Sequence, residues 1–263
     1  SAVQKAKTYS DKASFVFKTD IANFYASIDH IILMDLLAKY ITDARVLSLI
    51  YQYANRCEIR SAEHVLISGK SIPRGCPLSP LIGAFYCHAL DEFAKQKNIP
   101  YVRYMDDFVF FAKSRPALKR IIKQVYSILD DLKLTLAKPK TFIGKCNKGF
   151  DFLGYHIGGR EDASSADAVI SVAKQSFVRM AQKVYWLYEQ QARSGNFALG
   201  LDRYLKNWVK WAKAGLRELI LPKEIHFNLN KNVDLELRWQ LRYRGGVINN
   251  QLCPSGKSYI FVL

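Results

Sequence analysis

The sequence predicts an α+β fold, a small antiparallel sheet backed by helices. Three observations carry that expectation. Two apolar runs rich in aromatic and β-branched residues, 101–105 and 108–112, flank the pair Asp106-Asp107 and read as a β-hairpin with the pair at its tip. Several longer segments repeat apolar residues at helical spacing. The resulting order is strand, two helices, helix, hairpin, helix, hairpin, which describes a sheet covered on one side.

Residues 15–17 form the first strand and lead into Asp20. A helix over 30–41 places Leu33, Leu36, Leu37, Tyr40 and Ile41 on one buried face. Asp43 caps a second helix that turns Val46, Leu47, Ile50 and Tyr51 inward. Ser79 as N-cap and Pro80 as first helical residue start a third, pinning the far end of the loop 72–78. After the Asp106-Asp107 hairpin, Ser114 and Pro116 open a helix burying Leu118, Ile121, Ile122, Val125, Ile128, Leu129 and Leu132. Residues 141–146 and 150–157 read as a strand pair joined through Asn147-Lys148-Gly149. A Gly-, Ser- and Asp-rich linker, 158–166, precedes basic helices over 172–193 and 199–219. Near the end, Val233, Leu235, Leu237, Trp239, Leu241 and Tyr243 alternate with polar residues as a strand with one wet face.

The charge narrows the function. The chain has 39 Lys and Arg against 23 Asp and Glu, a formal net charge of +16 over 263 residues. Such an excess favours a polyanion, because every phosphate neutralised releases a condensed counterion. The basic residues are spread over mixed elements and form no juxtamembrane cluster, so nucleic acid is expected and a membrane is not. No apolar run is long enough to cross a bilayer. Residues 1–18 are polar and basic, unlike a signal peptide, and the five cysteines include no C-x-x-C pair, so a reducing, cytoplasmic setting is expected.

Adjacent carboxylates at a hairpin tip repel unless a cation neutralises them, so Asp106 and Asp107 point to a divalent metal site. A metal-dependent phosphoryl transferase needs a further carboxylate from a second element. Asp20, closing an apolar strand, is the candidate.

Four segments then occur together and in order: Phe17-Lys18-Thr19-Asp20-Ile21-Ala22-Asn23-Phe24-Tyr25-Ala26-Ser27-Ile28-Asp29-His30, Pro73-Arg74-Gly75-Cys76-Pro77-Leu78-Ser79-Pro80-Leu81, Tyr104-Met105-Asp106-Asp107 and Phe152-Leu153-Gly154-Tyr155-His156. In order and approximate spacing they resemble the palm motifs of reverse transcriptases, most nearly the bacterial retron and group II intron type. The resemblance spans residues 15–157, with a looser likeness to residue 219. It implies a polymerase palm at 1–158 with only a remnant of fingers, a helical thumb at 159–222 and a short β-rich C-terminal extension at 223–263.

The resemblance further implies an RNA-directed DNA polymerase that adds dNTPs to a primer 3′-hydroxyl. Asp20 and Asp106 would ligate two Mg²⁺ ions, with Mn²⁺ a possible substitute, the Ile21 carbonyl as a further ligand and Asp107 completing the acidic centre. Tyr25 would lie under the incoming sugar and exclude a 2′-hydroxyl. Arg74 and Gly75 would border the templating and incoming bases, and Lys140 the triphosphate. Tyr104, Met105, Leu153, Gly154 and Tyr155 would meet the primer end; Lys206, Lys210 and Lys213, with Arg203 and Arg217, would contact backbone phosphates of the template–primer duplex. Expected partners are an RNA template, a DNA or RNA primer, dNTPs, and a non-coding RNA or second chain supplying fingers. The family usually has Gln where this chain has Arg74, and only 19 residues precede Asp20. A maturase-like RNA-binding module or an RNA-dependent RNA polymerase would share the fold. Roles in mobile-element copying, phage defence and adaptive immunity are all compatible with these motifs.

Overall fold

The computed structural model describes residues 1–55, 70–158, 169–194 and 199–216. In chain order the elements are α1 (Ala2–Lys12), β1 (Phe15–Asp20), α2 (Phe24–Ser27), α3 (His30–Ala38), α4 (Ala44–Ala54), α5 (Ser79–Tyr86), α6 (His88–Gln96), β2 (Tyr101–Tyr104), β3 (Asp107–Ala112), α7 (Arg115–Asp131), β4 (Phe142–Lys145), β5 (Phe150–Phe152), β6 (Tyr155–Ile157), β7 (Ile170–Val172), α8 (Lys174–Ser194) and α9 (Leu199–Gly215). Residues Ser1–Gly215 form one compact unit. The strand expected near residues 233–243 lies outside the described residues, as does Arg217.

The α+β class holds: an antiparallel sheet in the order β2-β3-β1-β4 and a second of β5-β6-β7, surrounded by helices. β1 is the hinge of the first sheet, pairing with β3 from Phe15↔Ala112 to Asp20↔Asp107 and with β4 from Phe15↔Lys145 to Lys18↔Phe142. The buried run Phe108 to Phe111 in β3 has no wet face, which requires cover on both sides. On one side Phe17, Phe108 and Phe110 join Ile82, Leu90, Leu118, Ile121, Val125 and Leu129 from α5, α6 and α7 in the main core. On the other, Phe111 meets Tyr9 of α1 with ring centroids 6.0 Å apart and Phe150 of β5 at 5.9 Å. The one-sided sheet expected from sequence is therefore corrected to a sheet sandwiched between α5–α7 and α1 with the second sheet.

Other corrections are local. α3 stops at Ala38, and Tyr40 is 66% exposed. In α4, Asp43 caps as expected, accepting from the Arg45 amide at 2.8 Å, but Val46 and Tyr51 face outward while Leu47, Ile50, Tyr53 and Ala54 pack inward. Ser79 is a helical residue behind the cap Leu78, and its buried hydroxyl donates to the Pro73 carbonyl. β4 joins the first sheet instead of pairing with residues 150–157, which fold on themselves about Leu153 (φ +52°) and Gly154 (φ +83°). Two successive positive φ angles give the tight turn that matches strand twist. Ser114 caps α7, and its apolar stripe is buried as expected at Leu118, Ile121, Val125 and Leu129. No helix among the described residues is long and apolar enough to cross a membrane.

Candidate active site

Strand register brings the three aspartates together. Asp20 ends β1 directly opposite Asp107, the first residue of β3, and the Ile21 amide donates to the Asp106 carbonyl at 3.1 Å, locking the hairpin tip to the end of β1. The two-residue turn is Met105-Asp106, with Met105 at φ +57°, so the tip holds one of the two aspartates and Asp107 belongs to the strand. Ala137 and Ala22 clamp residues 20–22 from the far side, through Ala137 N–H to the Asp20 carbonyl at 2.7 Å and Ala22 N–H to the Thr135 carbonyl at 2.8 Å. In that pairing the N–H of Ile21 points away from Leu136, toward Asp106.

Two lysines neutralise part of this charge. Lys18 sits one pleat before Asp20 on the same face and pairs with Asp107 at 3.2 Å. Lys140 donates to Asp20 from the short turn after Ala137. Three carboxylates against two ammonium groups leave one negative charge uncompensated. Burial, chiefly, and the neighbouring Asp20 hold the Asp106 carboxyl above the usual carboxylate range. Burial also raises Asp107, opposed by Lys18, and the bond to Asp20 raises the Lys140 ammonium.

The centre opens on a cleft of about 480 Å³ lined by Asp20, Ile21, Ala22, Asn23, Phe24, Tyr25, Arg74, Asp106, Ala137 and Lys140. Asn23 takes a left-handed conformation, φ +48°, at the start of α2, which buries Phe24 and leaves Tyr25 partly open to the cleft. Burial and the charge of Asp106 raise the Tyr25 hydroxyl pKa. Gly75, beside Arg74, has φ +81° and nothing within 4 Å of the position a Cβ would take, so it supplies a turn and an unobstructed surface.

The chemistry of the donor set fits a divalent cation. Buried carboxylates that repel one another ionise at lower cost once a metal is present, and the buried Asp107 Oδ1 has the Lys18 ammonium at 3.2 Å as its counter-charge. As arranged, with lysines against Asp20 and Asp107, no group of three or more His, Cys, Asp or Glu among the described residues surrounds a metal position. A metal would therefore have to take the place that Lys140 holds on Asp20.

The remaining expected residues lie elsewhere. Tyr104 is exposed beside the tip. Leu153 and Gly154 form the β5–β6 turn, and this turn is packed against the basic helices: the Gly154 carbonyl accepts from the Ala173 amide and the Ser176 hydroxyl, both at 2.9 Å. Tyr155 points inward, buried, its ring tilted 32° against that of Trp211 with centroids 4.8 Å apart and its hydroxyl donating to the Trp211 carbonyl at 2.5 Å. The structure thus gives Tyr155 a packing role. Lys206, Lys210 and Lys213 share an exposed face of α9. Trp186 is 48% exposed beneath the Lys183 ammonium, which lies 3.6 Å from its ring centroid.

Sequence reading missed the residue that braces the tip. Arg103 pairs with Asp91 through two nitrogens and donates to the Met105 carbonyl at 3.2 Å and the Ala84 carbonyl at 3.1 Å, tying the strained turn to the α5–α6 corner. A lone arginine inside an apolar strand was the available signal.

Residues 2–157 match the family described as reverse transcriptase (RNA-dependent DNA polymerase). Protein YkfC of Escherichia coli K12 is 23% identical, the match covering 72% of this chain and 59% of that protein. The group II intron-encoded protein LtrA of Lactococcus lactis is 24% identical, over 62% of this chain and 38% of its own. The chain thus spans less than two thirds of the length of each of these relatives. Among solved structures, telomerase from Candida albicans in complex with a fragment of telomeric RNA superposes with TM-score 0.52 at 14% identity, over 81% of this chain and 42% of that one. Apo telomerase from Candida tropicalis gives 0.52 at 12% identity, over 68% and 36%; at such identities both likenesses concern the fold. With more than half of its length matched, the chain belongs to the reverse transcriptase family.

Proposed function

We propose that the chain is the palm and thumb of an RNA-directed DNA polymerase that transfers deoxynucleotides to a primer 3′-hydroxyl on an RNA template. The observation that carries this is the convergence of Asp20, Asp106, Tyr25, Arg74 and Lys140 on one cleft, with Asp107 behind them in the sheet. Asp20 and Asp106, with the Ile21 carbonyl, are the groups that would hold Mg²⁺, and Asp107 completes the acidic centre. Two such ions, when bound, supply Lewis-acid activation of the attacking oxygen and stabilisation of the leaving one.

The chain's own groups do the rest. Tyr25 fills the floor of the cleft where a sugar would lie and leaves no room for a 2′-hydroxyl. Lys140, once released from Asp20, is within side-chain reach of phosphates and can neutralise or protonate the departing pyrophosphate. Arg74 offers a guanidinium to the nucleotide or template backbone, with Gly75 keeping the surface beside it clear. Residues 159–222, including Lys206, Lys210 and Lys213, act as a thumb that grips the duplex through phosphates without reading bases.

The test is nucleotide incorporation on a primed RNA template in the presence of Mg²⁺, with dNTPs and NTPs compared. Wild-type protein should use dNTPs preferentially, and Tyr25→Ala should raise NTP use at least about tenfold relative to dNTP, the scale of a lost steric exclusion. Preferential NTP use by the wild type would instead assign an RNA polymerase.

A further inference from the structure

We propose that His30 is a positioning residue: it clamps the carbonyl of a strained Ser71 and so fixes the loop that carries Arg74 and Gly75 at the mouth of the acidic cleft. This rests on the polymerase reading only for what the loop binds; the clamp itself is read from the fold. His30 opens α3 and is buried, with 4% of its surface exposed. Its Nε2 lies 2.5 Å from the Ser71 carbonyl oxygen, which can only accept, so Nε2 donates to it. Its Nδ1 lies 3.1 Å from Asn55 Oδ1 at the end of α4, and the Asn55 amide nitrogen donates to the Tyr51 carbonyl at 3.0 Å.

Ser71 needs such a clamp. Its φ of +92° belongs to a region that residues with a Cβ rarely adopt and that persists only where the surroundings over-determine it. Here they do. The Ser71 amide donates to the Ile28 carbonyl and the Ile72 amide to the Tyr25 carbonyl, both at 2.9 Å. Two residues on, the Pro73 carbonyl accepts from Ser79, whose hydroxyl lies 2.6 Å from that of Tyr53. Residues 74–78, Arg74 and Gly75 first, are what remains between these anchors, and Arg74 lines the cleft.

The post to which the clamp is fixed is itself rigid. Asp29, the cap of α3, accepts from the amides of Ile31 and Ile32 and pairs with Lys133 at 2.8 Å, while its own amide donates to the buried Tyr86 hydroxyl at 3.3 Å. Because Ile72 hangs from the Tyr25 carbonyl, the loop and the floor of the cleft are set by one framework. Displacing the loop would alter nucleotide binding without touching the carboxylates.

Three substitutions of equal position and different reach test this in the full chain. His30→Phe keeps the ring and removes the donor. His30→Asn places an amide nitrogen near the Nδ1 position only, whereas His30→Gln can place one near Nε2. The measurements are steady-state dNTP incorporation and amide hydrogen exchange over residues 70–79. His30→Phe and His30→Asn should raise the KM for dNTP about tenfold, the equilibrium factor of one hydrogen bond at the upper end of its usual range, with kcat changed less, and should speed exchange at Ser71 and Ile72. His30→Gln should restore both. Equal KM and equal exchange in the Phe and Gln variants would overturn the clamp. Wild-type protein without polymerase activity would count against the proposed function alone, since the exchange ladder would still decide for or against His30.

Discussion

Mg²⁺ should stabilise this protein most where its acidic centre is most ionised, and removing one carboxylate should abolish the response. Asp106 carries the charge that Lys18 and Lys140 leave uncompensated. Its pKa and that of Asp107 lie above the usual carboxylate range, chiefly through burial. The folded, metal-free protein therefore holds these protons more tightly than the unfolded chain. That contribution to stability is complete below the unfolded pKa and is lost as the pH rises through the folded value. A divalent cation that binds the ionised carboxylates can recover it. At a free Mg²⁺ concentration a hundredfold above Kd, binding contributes about 2.7 kcal/mol. For a unit of this size each kcal/mol moves Tm by roughly 2–4 °C, so the expected rise is about 5–11 °C. Thermal melts across a Mg²⁺ titration at pH 7.5, repeated below the carboxylate range where protons displace the metal, measure it. Asp106→Asn should melt higher than wild type without metal and lose the Mg²⁺ response. A variant that keeps the full response, or a wild type with the same shift at both pH values, would refute the assignment of charge and metal to this cluster.

Other expectations follow from particular contacts. Gly154→Ala should destabilise by roughly 1–3 kcal/mol, the usual cost of overpacking, because a Cβ there would lie 2.7 Å from the Trp211 ring on a backbone with φ +83°; an unchanged Tm would mean that the turn does not hold α9. Lys140→Gln should lower kcat by about 10²-fold while leaving the fold intact, and an unaltered kcat would return Lys140 to a counter-charge for Asp20. Substituting Lys206, Lys210 and Lys213 together with Gln should flatten the dependence of log K on log salt by about 0.9 for each phosphate contact removed. A slope that does not change would put the duplex elsewhere.

What sequence could deliver here depended on how local each signal was. The hairpin around Asp106, the caps Asp43 and Ser114 and the stripe of α7 are set by residues within a few positions of one another, and all were legible. β4 was misassigned because its partner, β1, lies far away in sequence, and a short apolar run does not reveal which edge it joins. α1 escaped notice because its buried stripe is only Val3, Ala6 and Ser10, a pattern too weak to stand out from a basic segment. At the site, Asp20 stood out as a charge closing an apolar strand, and Tyr25 and Lys140 came through a resemblance of ordered motifs; their meeting in one cleft required the register of β1 on β3. Lys18 and His30 act on charge and backbone geometry that exist only in the fold, so residue type alone pointed to neither, whereas Arg103 was signalled only by its place inside an apolar strand.

The central claim is that Asp20, Asp106 and Asp107 form the catalytic acidic centre of a DNA-polymerising enzyme. Mg²⁺-dependent dNTP incorporation on a primed RNA template, compared between wild type and the double substitution Asp106→Ala with Asp107→Ala, tests it most directly, in the longest natural form of the protein. The account predicts loss of incorporation by the double variant with its melting transition and salt-dependent nucleic-acid binding retained. Measurable incorporation by that variant in a folded preparation would contradict it.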